Sequence, residues 1–179
     1  MDEVFNLIKS GLLKDLYIAE RCFHLNKQIN RLQPQIPGGI KTSISKMLFD
    51  LSYTEMVLSL CRLYDHHDKR HPTRCIKRLY QLVKNDYNIV IKESKYNVLH
   101  ELGHLRSRPE MFSFLESRDG KEFNKNVIMY LETIEMSDPL APSIEAIKKI
   151  RNKLLAHNEE IELDTFIPYT AIEILLKHA

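Results

Sequence analysis

A short segment near the C-terminus of the chain combines three side chains that can act on a phosphate group. It runs from Arg151 to His157 with the sequence RNKLLAH, and so holds a guanidinium, an amide and an imidazole. Arginine stays charged at physiological pH and can bind a phosphoryl group through two donors, whereas histidine titrates near neutrality and can transfer protons. The candidate catalytic residues are therefore Arg151, Asn152 and His157.

The spacing within this segment limits how the two charged groups can meet. Arg151 and His157 are six residues apart, so an ideal helix separates them by about 9 Å along its axis and about 120° around it. Either the last helical turn is distorted, or two copies of the helix meet across a dimer and line one cleft. A two-fold interface presents the same patch twice, which favours a homodimer with a composite site.

Apolar periodicity predicts that helices position this segment. Only 5 Gly and 7 Pro occur in 179 residues, and the apolar side chains recur at helical spacing. We predict an all-α bundle of about six to seven helices in a single domain over residues 1–179, with an N-terminal helix at 1–32 packing on the bundle. The other predicted helices are one from Ser43 or Ser45 to about His66, one after Pro72, one to about Arg106, one at 127–134, one from Ser143 through the segment, and a last one capped by Asp164.

Composition narrows the class of protein further. With 44% hydrophobic and 28% charged residues the chain is an ordinary globular protein, and its net charge of +2 is small for a protein held mainly by nucleic-acid phosphates. Cys22, Cys61 and Cys75 lack CxxC spacing, so we expect them to be reduced, as in the cytoplasm. Neither a secretory signal nor about 18 consecutive apolar residues is visible, and we expect no membrane span.

The segment and its surroundings resemble the HEPN superfamily, and in particular its abortive-infection, AbiU-like branch. Ribonuclease members of that superfamily carry Arg, often a polar residue, and then a His, as Arg151, Asn152 and His157 do with five residues between the charged pair. The long helix around residues 51–65 and the polar turn and final helix at 158–178 also resemble that branch.

The resemblance implies metal-independent RNA cleavage, without a cofactor, in antiphage defence or a toxin-antitoxin system. His157 would act as general base or acid, Arg151 would stabilise charge on the phosphoryl oxygens, and Asn152 would orient a phosphate or the ring. Lys153 would add RNA affinity. A nucleotidyltransferase-like antitoxin is a further implied partner. A non-catalytic HEPN module that binds RNA, nucleotide or protein is one alternative. Without the resemblance, the basic residues are simply the solvated face of an amphipathic helix, with His157 as its C-terminal cap.

Two other patterns compete for a functional assignment. His100, Glu101 and His104 satisfy the HExxH pattern of zinc peptidases, in which two imidazoles one turn apart hold the metal and the glutamate acts as base. No third histidine follows at metzincin spacing, so this is the lesser alternative. The polar turn at 65–71 holds three histidines and two aspartates and is more typical of a solvated turn than of a metal site.

Arg62 and Asp65 form one more candidate group near the end of the second predicted helix. If that helix packs beside the helix that carries Arg151, both side chains would reach a shared polar cleft. An ordinary salt bridge is the alternative.

Overall fold

All regular secondary structure in the described part of the chain is helical. This computed structural model describes residues 6–32, 35, 43–65, 74–85, 125, 128–129, 132, 140–156 and 166–179. A π-helical segment, Ile8–Leu12, leads into α1, and the α-helices are α1 (Leu13–Leu32), α2 (Ser43–Leu63), α3 (Ile76–Asn85), α4 (Ala141–Ala156) and α5 (Tyr169–His178). No strand occurs within these ranges, which confirms the all-α prediction. Five α-helices lie there against the six to seven predicted, and the predicted helix that ends at Arg106 lies outside the described residues.

Helix α2 is the centre of the described core. It packs most extensively on α1 and next on α4. Large side chains from its middle and last turns are almost fully buried, because they face both neighbours at once. The buried core residues of α2 are Tyr53, Met56, Val57, Leu60, Cys61 and Leu63, and they meet Ala19 and Phe23 of α1, Ile147 and Ile150 of α4, and Ile172, Leu175 and Leu176 of α5.

The first half of α2 differs from the prediction. The helical spacing of Met47, Leu48 and Leu51 in the sequence predicts that they are buried, but all three are exposed, as is Ile44. The helix carries apolar residues on more than one face, and the described helices cover only one of them. Tyr17 is an aromatic residue of the predicted N-terminal helix, which predicts a place in the core, but it is 58% exposed. The guanidinium of Arg21 lies 5.3 Å from the centre of its ring, a cation-π contact that suits an aromatic ring at the surface.

The ends of two helices also differ from the sequence-based boundaries. Helix α2 ends at Leu63 rather than near His66, because Tyr64 enters a turn and donates its hydroxyl to the carbonyl of Leu175 at 2.6 Å. Helix α5 begins at Tyr169, with Pro168 at its N-cap position and no side-chain cap. Asp164 is therefore not its cap, and that prediction was wrong.

A buried hydrogen bond joins α2 to the segment before α5. The amide of Ile167 donates to the hydroxyl of Tyr53 at 3.0 Å, and both residues belong to the core. This contact holds the residue that precedes Pro168, the N-cap position of α5, against α2. Burial raises the pKa of Tyr53 to about 12, so the neutral phenol is the form that the fold stabilises.

None of the helices in the described part of the chain is both long enough and apolar enough to cross a bilayer.

Replacing Tyr53 with Phe tests this contact. The variant leaves the buried Ile167 amide without its acceptor, which should lower the free energy of unfolding by about 1 to 3 kcal/mol at neutral pH. Since the folded-state pKa lies above the ordinary value of 10.0, the tyrosine's contribution is complete below pH 10.0 and is lost as pH rises through about 12. Urea unfolding across this pH interval should show the difference between wild type and variant shrinking.

The exposed Tyr17 provides the control for that experiment. Tyr17→Phe should change the unfolding free energy little at either end of the pH range, because its ring is open to water. A Tyr53→Phe variant as stable as wild type at neutral pH would contradict the buried hydrogen bond.

Candidate functional site

Arg151 projects from the last part of α4 toward the end of α2. Its side chain is only 25% exposed, and its Nη1 donates to Asp65 Oδ2 at 3.4 Å. Asp65 lies two residues after the end of α2, and the packing of α4 on α2 brings the two charges together. Arg151 is therefore held at a helix junction rather than extended into water.

Asn152 contacts the same guanidinium from the next position on α4. Its Oδ1 accepts from Arg151 Nε at 3.3 Å and from Nη2 at 3.2 Å. The side chain of Lys153 is exposed on α4. Helix α4 continues to Ala156, and His157, the next residue, lies outside the described part of the chain. The structure thus brings Arg151 and Asn152 together, while the convergence of His157 with them stays a prediction.

Cys61 lies beneath this charged group in the α2–α4 packing. It is 1% exposed, and burial raises the pKa of its thiol to about 11. Arg151 opposes that rise and Asp65 adds to it. Because its pKa is so high, Cys61 is a neutral thiol at physiological pH and a packing residue rather than a nucleophile.

A polar cavity opens beside the Arg151–Asp65 pair, and we call it the α1–α2 cavity. It has a volume of about 470 Å³ and lies between the π segment, α1, the second half of α2 and the start of the α3 region. Its walls hold three cationic and three carboxylate side chains. The lining residues are Ser10, Gly11, Lys14, Asp15, Ile18, Glu55, Arg62, Asp65 and Arg74.

Arg62 crosses this cavity from α2 to α1. Its Nε donates to Asp15 Oδ1 at 2.7 Å, and its Nη2 donates to Glu55 Oε1 at 3.0 Å and to Ser59 Oγ at 2.8 Å. Burial lowers the pKa of Arg62, but the hydrogen bonds to Asp15 and Glu55 outweigh that effect and raise it. This guanidinium therefore stays charged and links α2 to α1 along one wall of the cavity.

Arg62 and Asp65 each form a salt bridge, which was the alternative to a shared cleft. Both also line one cavity, but α1 faces α2 across it, and α4 contributes none of its lining residues. Asp15, Lys14 and Arg74 were not predicted as candidate residues. Asp15 is a buried carboxylate in an otherwise ordinary amphipathic pattern, and only the position of Arg62 explains it.

Most residues of the two alternative metal sites, the HExxH pattern and the polar turn at 65–71, lie outside the described part of the chain. His100, Glu101 and His104 are not among them, nor are His66, His67 and His71. Within the described ranges, no three His, Cys, Asp or Glu side chains come close enough to hold a metal ion. The three cysteines, all described, are free thiols.

Comparison with known protein families identifies the family of this helical protein. The HEPN family model described as AbiU2 matches residues 1–170, which covers nearly the whole chain. The chain therefore belongs to the AbiU2 family, a HEPN-type abortive-infection family. This confirms the resemblance seen in the sequence. No curated protein and no solved structure gives a significant match.

The packing beneath Arg151 can be tested through the cysteines. Alkylation of the folded protein with iodoacetamide, followed by peptide mass spectrometry, should modify the partly exposed Cys22 before Cys61 and Cys75. The buried Cys61 combines low exposure with a pKa of about 11, and reaction requires the thiolate. In denaturant all three should react at similar rates. Native-state labelling of Cys61 as fast as Cys22 would mean that α4 does not cover it.

Proposed function

We propose that this protein is a metal-independent endoribonuclease of the HEPN type that acts in antiphage defence. Membership in the AbiU2 family supports the abortive-infection setting. The proposed ribonuclease activity is supported chiefly by the placement of Arg151. Its partly buried guanidinium contacts Asn152 and pairs with Asp65, which lines a polar cavity. A plain solvated face would leave this arginine extended into water, as it leaves Lys149 and Lys153.

The proposed reaction is attack of a ribose 2′-hydroxyl on the adjacent phosphodiester. The bond from O2′ to phosphorus forms as the bond from phosphorus to O5′ breaks, giving a cyclic phosphate and a free 5′-hydroxyl. His157 takes the proton of the 2′-hydroxyl or returns one to the leaving oxygen. Arg151 stabilises the charge on the phosphoryl oxygens, and Asn152 holds the guanidinium or the phosphate in place. Lys153 adds affinity for the RNA backbone.

The contact with Asp65 is compatible with phosphate binding. It is a single hydrogen bond at 3.4 Å, and the Nε and Nη2 side of the guanidinium faces the uncharged Asn152. A phosphate can replace the amide on that side and accept two parallel donors, which is the geometry that arginine favours. Asp65 also partly neutralises the charge of Arg151. That observation favours the second candidate function, a non-catalytic HEPN module that binds RNA without cleaving it.

We also propose that the protein acts as a homodimer with a composite site. The support is geometric, since six residues separate Arg151 from His157 and α4 is a regular α-helix up to Ala156. A second copy related by a two-fold axis can supply the missing group. Control by a nucleotidyltransferase-like antitoxin, and the toxin role, remain predictions from the family resemblance.

The first test of the ribonuclease is cleavage of single-stranded RNA in the presence of EDTA. Wild type should cleave, while Arg151→Ala and His157→Ala should each reduce the rate by at least about 100-fold, because each removes a proton-transfer or charge-stabilising group. EDTA separates this activity from a zinc enzyme built on His100 and His104. Lys149→Ala is the matched control, since it removes an exposed cation of α4 that lies about 200° around the helix from Arg151.

Three results of that assay have distinct meanings. Cleavage that persists in both variants would reject the proposed site. RNA binding without cleavage by wild type would favour the non-catalytic module. Peptide hydrolysis that depends on zinc and is lost in His104→Ala would favour the peptidase.

Mixing the two inactive variants tests the composite site. If each site takes Arg151 from one chain and His157 from the other, a heterodimer of Arg151→Ala and His157→Ala has one intact site. An equal mixture after subunit exchange should then recover about one quarter of the wild-type rate, because about half the dimers are mixed and each keeps one of two sites. A mixture as inactive as its parents would contradict a site that shares one group from each chain.

A further inference from the structure

The side of α1 on which the α1–α2 cavity opens carries exposed apolar and cationic side chains. Arg21, Leu25 and Leu32 follow the cavity residue Lys14 by seven, eleven and eighteen residues, which is about two, three and five helical turns. These four side chains therefore lie on one line along the helix. All four are exposed.

A second line of exposed apolar side chains runs along α2. Leu51, Leu48 and Ile44 precede the cavity residue Glu55 by four, seven and eleven residues, which is about one, two and three turns. All three are exposed, Leu51 by 61% and Ile44 by 68%. Because Lys14 and Glu55 line the same cavity, the two lines lie on the same side of the helix pair.

The contacts between α1 and α2 make the apolar halves of the two lines neighbours. Arg62 donates to Asp15 at one end of the pair, and Asn26 donates to Ser52 further along, so the helices are antiparallel. The C-terminal half of α1 therefore lies beside the N-terminal half of α2. We call this side the cavity-side face, and it comprises Lys14, Arg21, Leu25 and Leu32 of α1 and Ile44, Leu48 and Leu51 of α2.

Helix α5 packs on the other side of α1. It contacts Phe23, whose ring centre lies 5.6 Å from that of Tyr169, and Lys27, whose Nζ lies 2.6 Å from Glu173 Oε1. Phe23 and Lys27 come nine and thirteen residues after Lys14, so they point about 140 to 180° away from the line that begins there. The cavity-side face is therefore left open by α5.

The carboxylates at the cavity end of this face are already paired. Asp15 and Glu55 both contact the guanidinium of Arg62, and Asp65 contacts Arg151. These three are the carboxylates that line the cavity. They therefore do little to neutralise other cations of the face.

Three cations at the same end pair with no carboxylate in the described part of the chain. Lys14 is exposed, Arg21 contacts the Tyr17 hydroxyl at 3.4 Å, and Arg74 donates to the carbonyl of Ser10 at 2.9 Å. Both arginine partners are uncharged. The face thus combines exposed apolar side chains with an excess of positive charge.

This combination fits an anionic lipid surface. Interfacial helices place apolar side chains at the boundary between head groups and acyl chains, while lysine and arginine attract anionic head groups. Side chains as exposed as Ile44 and Leu51 project from the protein instead of lining a recessed groove for a partner helix. A second copy of the chain would bring the same excess of cations to the contact, whereas anionic lipid complements it.

We propose that the cavity-side face binds the surface of an anionic lipid bilayer. The five apolar side chains of the face enter the head-group region, and Lys14 and Arg21 bind lipid phosphates. Helices α1 and α2 then lie along the bilayer, so this binding needs no helix that crosses it. The proposal does not depend on the ribonuclease activity.

The test is co-sedimentation of the full chain with vesicles of phosphatidylcholine, with and without phosphatidylglycerol. Wild type should bind the anionic vesicles more tightly, and salt should weaken that binding because it screens the charges. Lys14→Gln should weaken it about fivefold, the effect of one cation near an anionic surface. Leu51→Glu should weaken it by at least about tenfold, because it removes an apolar contact and adds a repelled charge.

Each of these variants has a matched control away from the face. Lys149→Gln removes an exposed lysine of α4, and Ile174→Glu makes the apolar-to-acidic change at a residue of α5 that is 39% exposed. Both controls should bind anionic vesicles nearly as wild type does. Melting temperatures of the four variants establish that they are folded.

A fluorescent probe tests whether the face itself enters the lipid. The chain contains no tryptophan, so Leu48→Trp introduces a single one on the face. Its emission should shift to the blue on anionic vesicles, because the indole leaves water. The emission of Ile174→Trp should stay unchanged.

Four results would overturn the proposal. Wild type that does not bind anionic vesicles rejects it, and equal losses in the face variants and their controls reject the assignment to this face. Dissociation of a larger assembly by Leu51→Glu, without an effect on vesicle binding, would assign the face to a second copy. Loss of RNA binding by Leu51→Glu and Lys14→Gln, with vesicle binding unchanged, would assign it to RNA.

Discussion

The placement of Arg151 against Asp65 is the constraint on which the functional interpretation depends. An ion pair with both side chains partly exposed contributes about 0 to 1 kcal/mol to folding, so this contact does little for stability. Its effect is positional, because it keeps a long and mobile side chain at the junction of α2 and α4. A guanidinium fixed in this way loses less conformational entropy when it binds a phosphate.

Helix α2 provides both the core and the polar groups around that arginine. Its buried side holds Tyr53, Met56 and Leu60 against α1, α4 and α5, and this burial supplies the main stabilisation of the described region. Glu55 and Arg62 project from the same helix into the α1–α2 cavity, and Asp65 follows its end. The geometry of the cavity is therefore fixed by core packing rather than by the polar contacts themselves.

The all-α fold class could be predicted from the sequence, whereas the contacts between its helices could not. Helical periodicity is local, so it identified α2 and α4 to within a few residues of their observed ends, and the C-terminal end of α1 at Leu32. Exposure depends on what packs against a helix, which is why Met47 and Leu51 were assigned to the core and are exposed. The Asp15–Arg62 pair joins residues far apart in sequence, and a single sequence contains no signal for such a pairing. The motif named Arg151 and Asn152 as candidate residues, but only tertiary packing shows that Arg151 also contacts Asp65.

The most direct test of the account is a crystal structure of the assembled protein with an RNA whose 2′-hydroxyl at the cleaved position is replaced by hydrogen. Such an RNA cannot react, because the attacking oxygen is missing, yet it keeps the phosphate that the arginine must recognise. The account predicts two hydrogen bonds from the Arg151 guanidinium to one phosphate and His157, from either chain, within reach of the deleted oxygen. A phosphate bound elsewhere, with Arg151 still on Asp65 and His157 distant in every chain, would contradict it.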